Sequence, residues 1–272
     1  MLLTTKSTDQ APPEFLASIG DVFARFDRQD SGNISFGVET EEGRHFVKTA
    51  GPPGGGGLPL AHKDRVALLQ NAERLAREVT HPALTRFERS IPSAWGPMLV
   101  YGWVEGEHLH ARRERREDPD TAWQRFLALP TSERLAVVRT LIDLHVELAS
   151  KNWVTGDFYD GCLIYNFPSK SIHVFDLDSY RQGSYRNNMG RMFGSTRFMA
   201  PEEFELGRAI DERTTVFALG RTIATLLADL PTVRDVVARA CEPSPTSRCA
   251  TVAALAASFT SALRSTPEPR LD

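Results

Sequence analysis

GSTRFMAPEE, residues 194–203, stands between a region of short strands and loops and a region that reads as helices. Upstream of it lie two carboxylate-bearing loops, VTGDFYDGC with Asp157 and VFDLDSY with Asp176 and Asp178. Each loop adjoins a short apolar strand, CLIYNF or SIHVFDL, and the strands are joined by the turn residues Pro168, Ser169 and Lys170. Loops at strand edges are where a rigid scaffold displays its chemistry. Downstream, helices are expected from about Asp211 to the end. Upstream of the loops, a helix beginning at Thr131 or Ser132 is predicted, with a hydroxyl as its cap and apolar positions at Leu135, Val138, Leu141, Ile142, His145 and Leu148.

The first hundred residues read differently. ISFGVET (34–40) alternates apolar and polar residues, EEG makes a turn, and RHFVKTA (44–50) returns as the second strand of a hairpin. A glycine run, GPPGGGG (51–57), is expected to be a connector, since such a run cannot be the interior of a helix or strand. Residues 63–79 place Val66, Leu68, Leu69, Ala72, Leu75 and Ala76 at helical spacing, and PMLVYGWV (97–104) reads as a further strand. The mixed-charge run HARRERREDPD (110–120) reads as a solvated surface segment or an exposed helix start. The expected fold class is α+β. A small antiparallel-sheet lobe with one helix (1–104) is followed by a mainly helical lobe (105–272).

Composition excludes several classes. Of 272 residues, 41% are hydrophobic and 25% charged, which suits a folded globular chain rather than a disordered one. A net charge of −3 provides no bulk positive field for nucleic acid or acidic lipid. No apolar stretch approaches the roughly 20 residues that a membrane span requires. The three widely spaced cysteines form neither a disulfide framework nor a zinc pattern, so the expected compartment is a reducing cytoplasm.

Lys48 in FVKTA, the two carboxylate loops and then GSTRFMAPEE follow one another along the chain, and the lysine and the carboxylates are residue types that phosphoryl transfer from a nucleotide uses. A cation holds the triphosphate, carboxylates hold the hard ion Mg²⁺, and a further carboxylate positions the attacking hydroxyl. In this order the chain resembles the protein-kinase-like superfamily, over nearly its whole length. The resemblance implies a two-lobed kinase-like fold with ATP and Mg²⁺ as cofactors. FVKTA looks like the lysine strand, and LVYGWVEGEHL like the hinge, with Tyr101 in the gatekeeper place and Trp103 and Val104 offering backbone groups to adenine. SKNWVTGD resembles the approach to the catalytic loop, making Asp157 the base or the carboxylate that orients the hydroxyl. VFDLD is similar to the magnesium loop, making Asp176 the principal ligand with Asp178 beside it. GSTRFMAPEE is the most specific match, and by it Glu202 is expected to pair with Arg248.

The departures from the family bear on function. The glycine-rich loop is reduced to Gly32, leaving residues 29–33 (among them Ser31, Gly32 and Asn33) as the candidate phosphate cover. Glu73 is the candidate partner of Lys48. Tyr159 replaces the lysine that follows the base in serine/threonine kinases. Cys162 replaces the metal-binding asparagine, and thiols are poor Mg²⁺ ligands. Asp160 is the candidate substitute. Thr215 stands where the central large-lobe helix usually carries an aspartate. The pair Gly156–Asp157 resembles aminoglycoside-type phosphotransferases. Three readings follow: a kinase acting on a hydroxyl of a small molecule such as an antibiotic or nucleoside, slightly preferred; a Ser/Thr protein kinase; and a nucleotide-binding pseudokinase. The expected partners are ATP and a hydroxyl-bearing acceptor, with neither nucleic acid nor membrane.

Overall fold

The computed structural model describes residues 1–27, 32–54 and 60–264. The chain divides into two compact units, Met1–Glu105 and a second beginning at Gly106.

The first unit is built on a five-stranded antiparallel sheet, β1 (Asp21–Phe26), β2 (Ile34–Thr40), β3 (Gly43–Thr49), β4 (Phe87–Ser93) and β5 (Gly96–Gly102), in the order β1-β2-β3-β5-β4. Successive residues of a strand face opposite sides, and β5 shows the consequence. Val100 packs with Phe36, Val38, Val47 and helix α1 (Pro12–Ile19), whereas its neighbour Leu99 packs with Leu69 and Ala72 of helix α2 (His62–Glu78). Lys48 is registered opposite Leu99 and therefore shares the α2 face.

This unit holds two helices where the sequence reading expects one. The additional helix, α1, is only eight residues long, too short to display a helical period. It is started by prolines at its first positions, whose ring fixes a helix-compatible φ, and is held by burial of Phe15 and Leu16. The glycine run begins in a defined way. Arg65, 1% exposed, donates to the carbonyls of Ala50, Pro52 and Leu60, so one buried guanidinium ties together both ends of the connector. Residues 55–57 of that run lie outside the described residues.

The second unit is mainly helical. It contains α3 (Ala122–Leu127), α4 (Thr131–Ser150), α5 (Glu212–Leu226), α6 (Arg234–Ala240) and α7 (Val252–Arg264). Helix α5 packs against α4, α6 and α7. The short strands are β6 (Glu107–His108), β7 (Trp153–Val154), β8 (Leu163–Asn166), β9 (Ser171–Val174), β10 (Arg181–Gln182), β11 (Tyr185–Arg186) and β12 (Ala209–Ile210). The β8–β9 hairpin carries the turn at 168–170 read from the sequence. Helix α4 is capped differently from the expectation. Its cap position is Pro130, and the Thr131 hydroxyl instead donates to Asp229 while accepting from Arg134. The charged run at 110–120 forms only a single helical turn, Arg113–Arg115. Among the described residues, no helix is long and apolar enough to cross a membrane.

Candidate functional site

The second unit concentrates the carboxylates. Gly156 permits this locally, because a Cβ there would come within 2.2 Å of the Ser179 carbonyl oxygen. The loop bearing Asp157 thus runs directly against the loop bearing Asp176 and Asp178. The loop is also tied to α5. Thr215 accepts a hydrogen bond from the Thr155 amide at 3.1 Å, a backbone-acceptor role that a hydroxyl can fill as an aspartate would.

Asp157 and Asp176 both adopt left-handed backbone, with φ of +59° and +65°. Such conformations are costly for residues with a side chain, and they cluster at functional sites. Both carboxylates are half-buried, and Asp178 is buried. Cys162 lies between the two loops. Its thiol donates to the Asp157 carbonyl oxygen, and the Phe175 amide donates to the Cys162 carbonyl. Burial, and then the charges of Asp157 and Asp176, push the thiol pKa well above its ordinary value. It stays protonated and acts as a clasp between loops rather than as a metal ligand.

Asp160, named above as a substitute ligand, is otherwise occupied. It is 1% exposed, and its Oδ2 accepts from Arg197 at 2.7 Å and from Arg116 at 3.1 Å. The His110 Nδ1 stands 3.7 Å from Oδ1, beyond direct hydrogen-bonding distance. Burial pushes the Asp160 pKa up, but His110, Arg197 and Arg116 together outweigh it and hold the group at about 2. The flanking Tyr159 phenol is pushed up by burial and then by the surrounding acids. Its ring lies against Gly161, where a Cβ would come within 2.1 Å of it.

The stretch 194–203 is fixed by one buried ion pair. Arg248 binds Glu202 through both terminal nitrogens, at 2.7 and 2.9 Å, and Thr214 donates to the same carboxylate at 2.8 Å. The pairing expected from the sequence is present. Behind the metal-loop candidate, His145 donates from Nδ1 to the Leu141 carbonyl, which leaves Nε2 to accept from the Tyr180 hydroxyl at 2.9 Å. This buried link joins α4 to the segment after Asp178.

In the first unit, Lys48 is 6% exposed on β3. Gly32 has φ of +81° and lies against Gly51, whose Cβ, if present, would approach the Gly32 carbonyl oxygen to 2.8 Å; Asn33 is buried beside it. Ser31 and residues 29–30 of the expected phosphate cover lie outside the described residues. Glu73 is engaged by Arg77 one turn along α2, at 2.8 Å. Tyr101 packs edge-on against Phe87 on the α2 face. The Trp103 amide donates to the Arg44 carbonyl, so it extends the β3–β5 pairing, and Val104 next to it is half-buried.

Sequence reasoning missed His110, Arg116 and Arg197 as partners of Asp160. It also missed His145 and Tyr180 as a buried pair, and the buried Glu203. A buried carboxylate must find cations somewhere. That requirement was the one available signal for the arginines, although burial of Asp160 is not itself written in the sequence. No family model matches the chain, and no curated protein shows significant similarity to it.

Proposed function

We propose that the protein transfers the γ-phosphoryl group of ATP to a hydroxyl acceptor. The observation that carries this reading is the pair Asp157 and Asp176: two half-buried carboxylates in left-handed backbone, on adjoining loops clasped by a protonated thiol. Asp157 would orient the acceptor hydroxyl and receive its proton as the oxygen bonds to the γ-phosphorus. The bond from that phosphorus to the bridging oxygen breaks, and ADP leaves. Lys48 would hold the triphosphate.

Asp176 would hold Mg²⁺, with Asp178 behind it. Among the described residues no cluster of three or more His, Cys, Asp or Glu side chains is arranged to hold a metal. That fits Mg²⁺, which keeps its waters and is commonly held by one or two carboxylates together with substrate phosphates. When bound, it would neutralise charge developing on the phosphate oxygens. Asp160 drops out of this set because its charge is matched by two guanidiniums. With a thiol at 162 as well, the residues suit one metal ion.

The preferred acceptor is a small-molecule hydroxyl, in keeping with the Gly156–Asp157 pair and the immediate passage from α5 through a short turn into α6. A protein serine or threonine is the second reading. It is favoured by Ser195, which lines the same small cavity as Asp157 in the segment locked by Glu202 and Arg248.

The test is incubation of the full chain with Mg²⁺ and γ-labelled ATP, following label on the protein and on added polyhydroxylated small molecules. Label on a small molecule supports the first reading. Label on protein that is lost in Asp157→Asn supports the second. ATP bound with no transfer to any acceptor points to a pseudokinase. Asp176→Ala is expected to lower Mg²⁺-dependent turnover at least 100-fold, the scale of one lost electrostatic contact at a transferring group. Unchanged turnover would remove Asp176 from the site.

A further inference from the structure

Asp157 shares a cavity with a second carboxyl group for which the proposed reaction has no use. The cavity, about 10 Å³ in volume, is lined by Asp157, Ser195 and Glu203 together with the apolar side chains of Phe198 and Met199. That volume is about what one water needs, and polar walls are what retain a water. Glu203 is 4% exposed, and its Oε2 accepts from the Ala200 amide at 2.7 Å. Its neighbour Glu202 faces the other way, onto Arg248.

We infer that Glu203 is a positioning residue for Asp157, donating its carboxyl proton to a single cavity water that in turn hydrogen-bonds the Asp157 carboxylate. The inference rests on the phosphotransfer reading for its catalytic consequence, but not for the link between the two carboxyls. As a neutral acid Glu203 adds a donor and no charge. Once ionised it adds a second negative charge at the same cavity, and two carboxylates in one low-dielectric site cannot both ionise freely.

The surroundings favour the neutral form. Burial pushes the Glu203 pKa up to about 7 against the pull of the Ala200 amide, with Glu202 and Asp157 adding to the rise and Arg248 opposing it. From β11 the group that faces Glu203 is the Tyr185 hydroxyl, buried, without a hydrogen-bond partner, and held neutral with its pKa pushed up to about 12 mainly by burial. Of the cations around it, Arg248 is committed to Glu202. The other hydroxyl-bearing residues of the wall are Ser195 and Thr155, whose hydroxyl donates to Thr215.

The first experiment needs no activity: ¹³C NMR titration of the side-chain carboxyls in the full chain, with the Glu203 resonance assigned by its loss in Glu203→Gln. The expected result is a midpoint near 7 that falls measurably in Asp157→Asn, as the like charge is removed. A midpoint unmoved by Asp157→Asn would overturn the link. The second experiment is a pH–rate profile. Turnover is expected to fall several-fold between about pH 6 and pH 8, around that midpoint, and the fall is expected to vanish in Glu203→Gln at whatever rate that variant supports. Wild-type and Glu203→Gln profiles of the same shape would overturn the positioning role. A shifted titration in a protein that phosphorylates nothing would uphold the carboxyl link and reject the phosphotransfer reading alone.

Discussion

The second unit contains two buried carboxylates bound by arginine, and they are built to different ends. Glu202 is 2% exposed and its partner Arg248 0%, so both charges are out of water. The Arg248 guanidinium is further satisfied by the carbonyls of Arg213, Glu242 and Pro243. Asp160 is equally buried at 1%, but its arginines are not: Arg116 is 21% and Arg197 38% exposed. The first pair is a closed lock. The second is a buried anchor holding two cations at the surface, each stacked on an aromatic ring, Trp123 or Phe198. The lock fixes the segment 194–203 as a unit. The anchor fixes the rim of the loop that carries Asp157.

Breaking the lock tests the larger half of this comparison. Arg248→Met leaves the Glu202 carboxylate buried without its cation, and is expected to cost about 3–5 kcal/mol. Urea unfolding at pH 7 reads this as a lowered midpoint with an unchanged slope. The double variant Glu202→Gln with Arg248→Met should recover part of the loss, because the stranded charge goes with its partner. A cost below about 1 kcal/mol, the range of exposed pairs, would make the lock no different from a surface bridge.

The lock was legible in the sequence and the anchor was not, and the reason is physical. Glu202 and Arg248 lie in two recognisable stretches whose resemblance fixes their roles together. Asp160 meets Arg116 and Arg197, 44 and 37 residues away, and the resemblance gives neither of them a carboxylate partner, although Arg197 stands inside GSTRFMAPEE. One of them comes from a charged run whose composition reads as solvent-facing. Three of the five sheet strands and the long helices were legible, β2 by its alternation and α2 and α4 by apolar residues at helical spacing, whereas β1 and β4 were not read from the sequence. Helix α1 was not, since eight residues carry two turns and no period. Lys48, Asp157 and Asp176 stood out by residue type and order, but their backbone did not: nothing in the letters states that both aspartates take left-handed φ. Glu203 escaped notice because its neighbour Glu202 accounts for the acidic pair at the end of the motif.

The anchor should break more gently, and with a pH signature. In Asp160→Asn the two guanidiniums lose their carboxylate but keep access to water, so the expected cost at pH 7 is about 2 kcal/mol. The folded-state pKa of about 2 lies below the ordinary value of 3.8. A depressed carboxylate stabilises the fold above its unfolded pKa and loses that contribution as pH falls through the folded one. The stability gap between wild type and Asp160→Asn is therefore full at pH 7 and shrinks as the pH drops from about 4 towards 2. A gap independent of pH over that range would mean that the arginines do not hold the charge of Asp160.

The smallest effect asks whether Glu202 depends on Arg248 alone. Thr214 donates to Glu202 Oε1 and also accepts from the Asp211 amide at the start of α5, so one hydroxyl couples the lock to the helix beneath it. Thr214→Val keeps the shape and removes the hydroxyl. The ion pair remains, so the expected loss is about 1.5 kcal/mol, the low end for a hydrogen bond to a charged group. Combined with Arg248→Met, the two losses should not add, since both variants withdraw support from one carboxylate. Strict additivity in urea midpoints would separate the hydroxyl from the lock and leave Thr214 with only its role at the helix start.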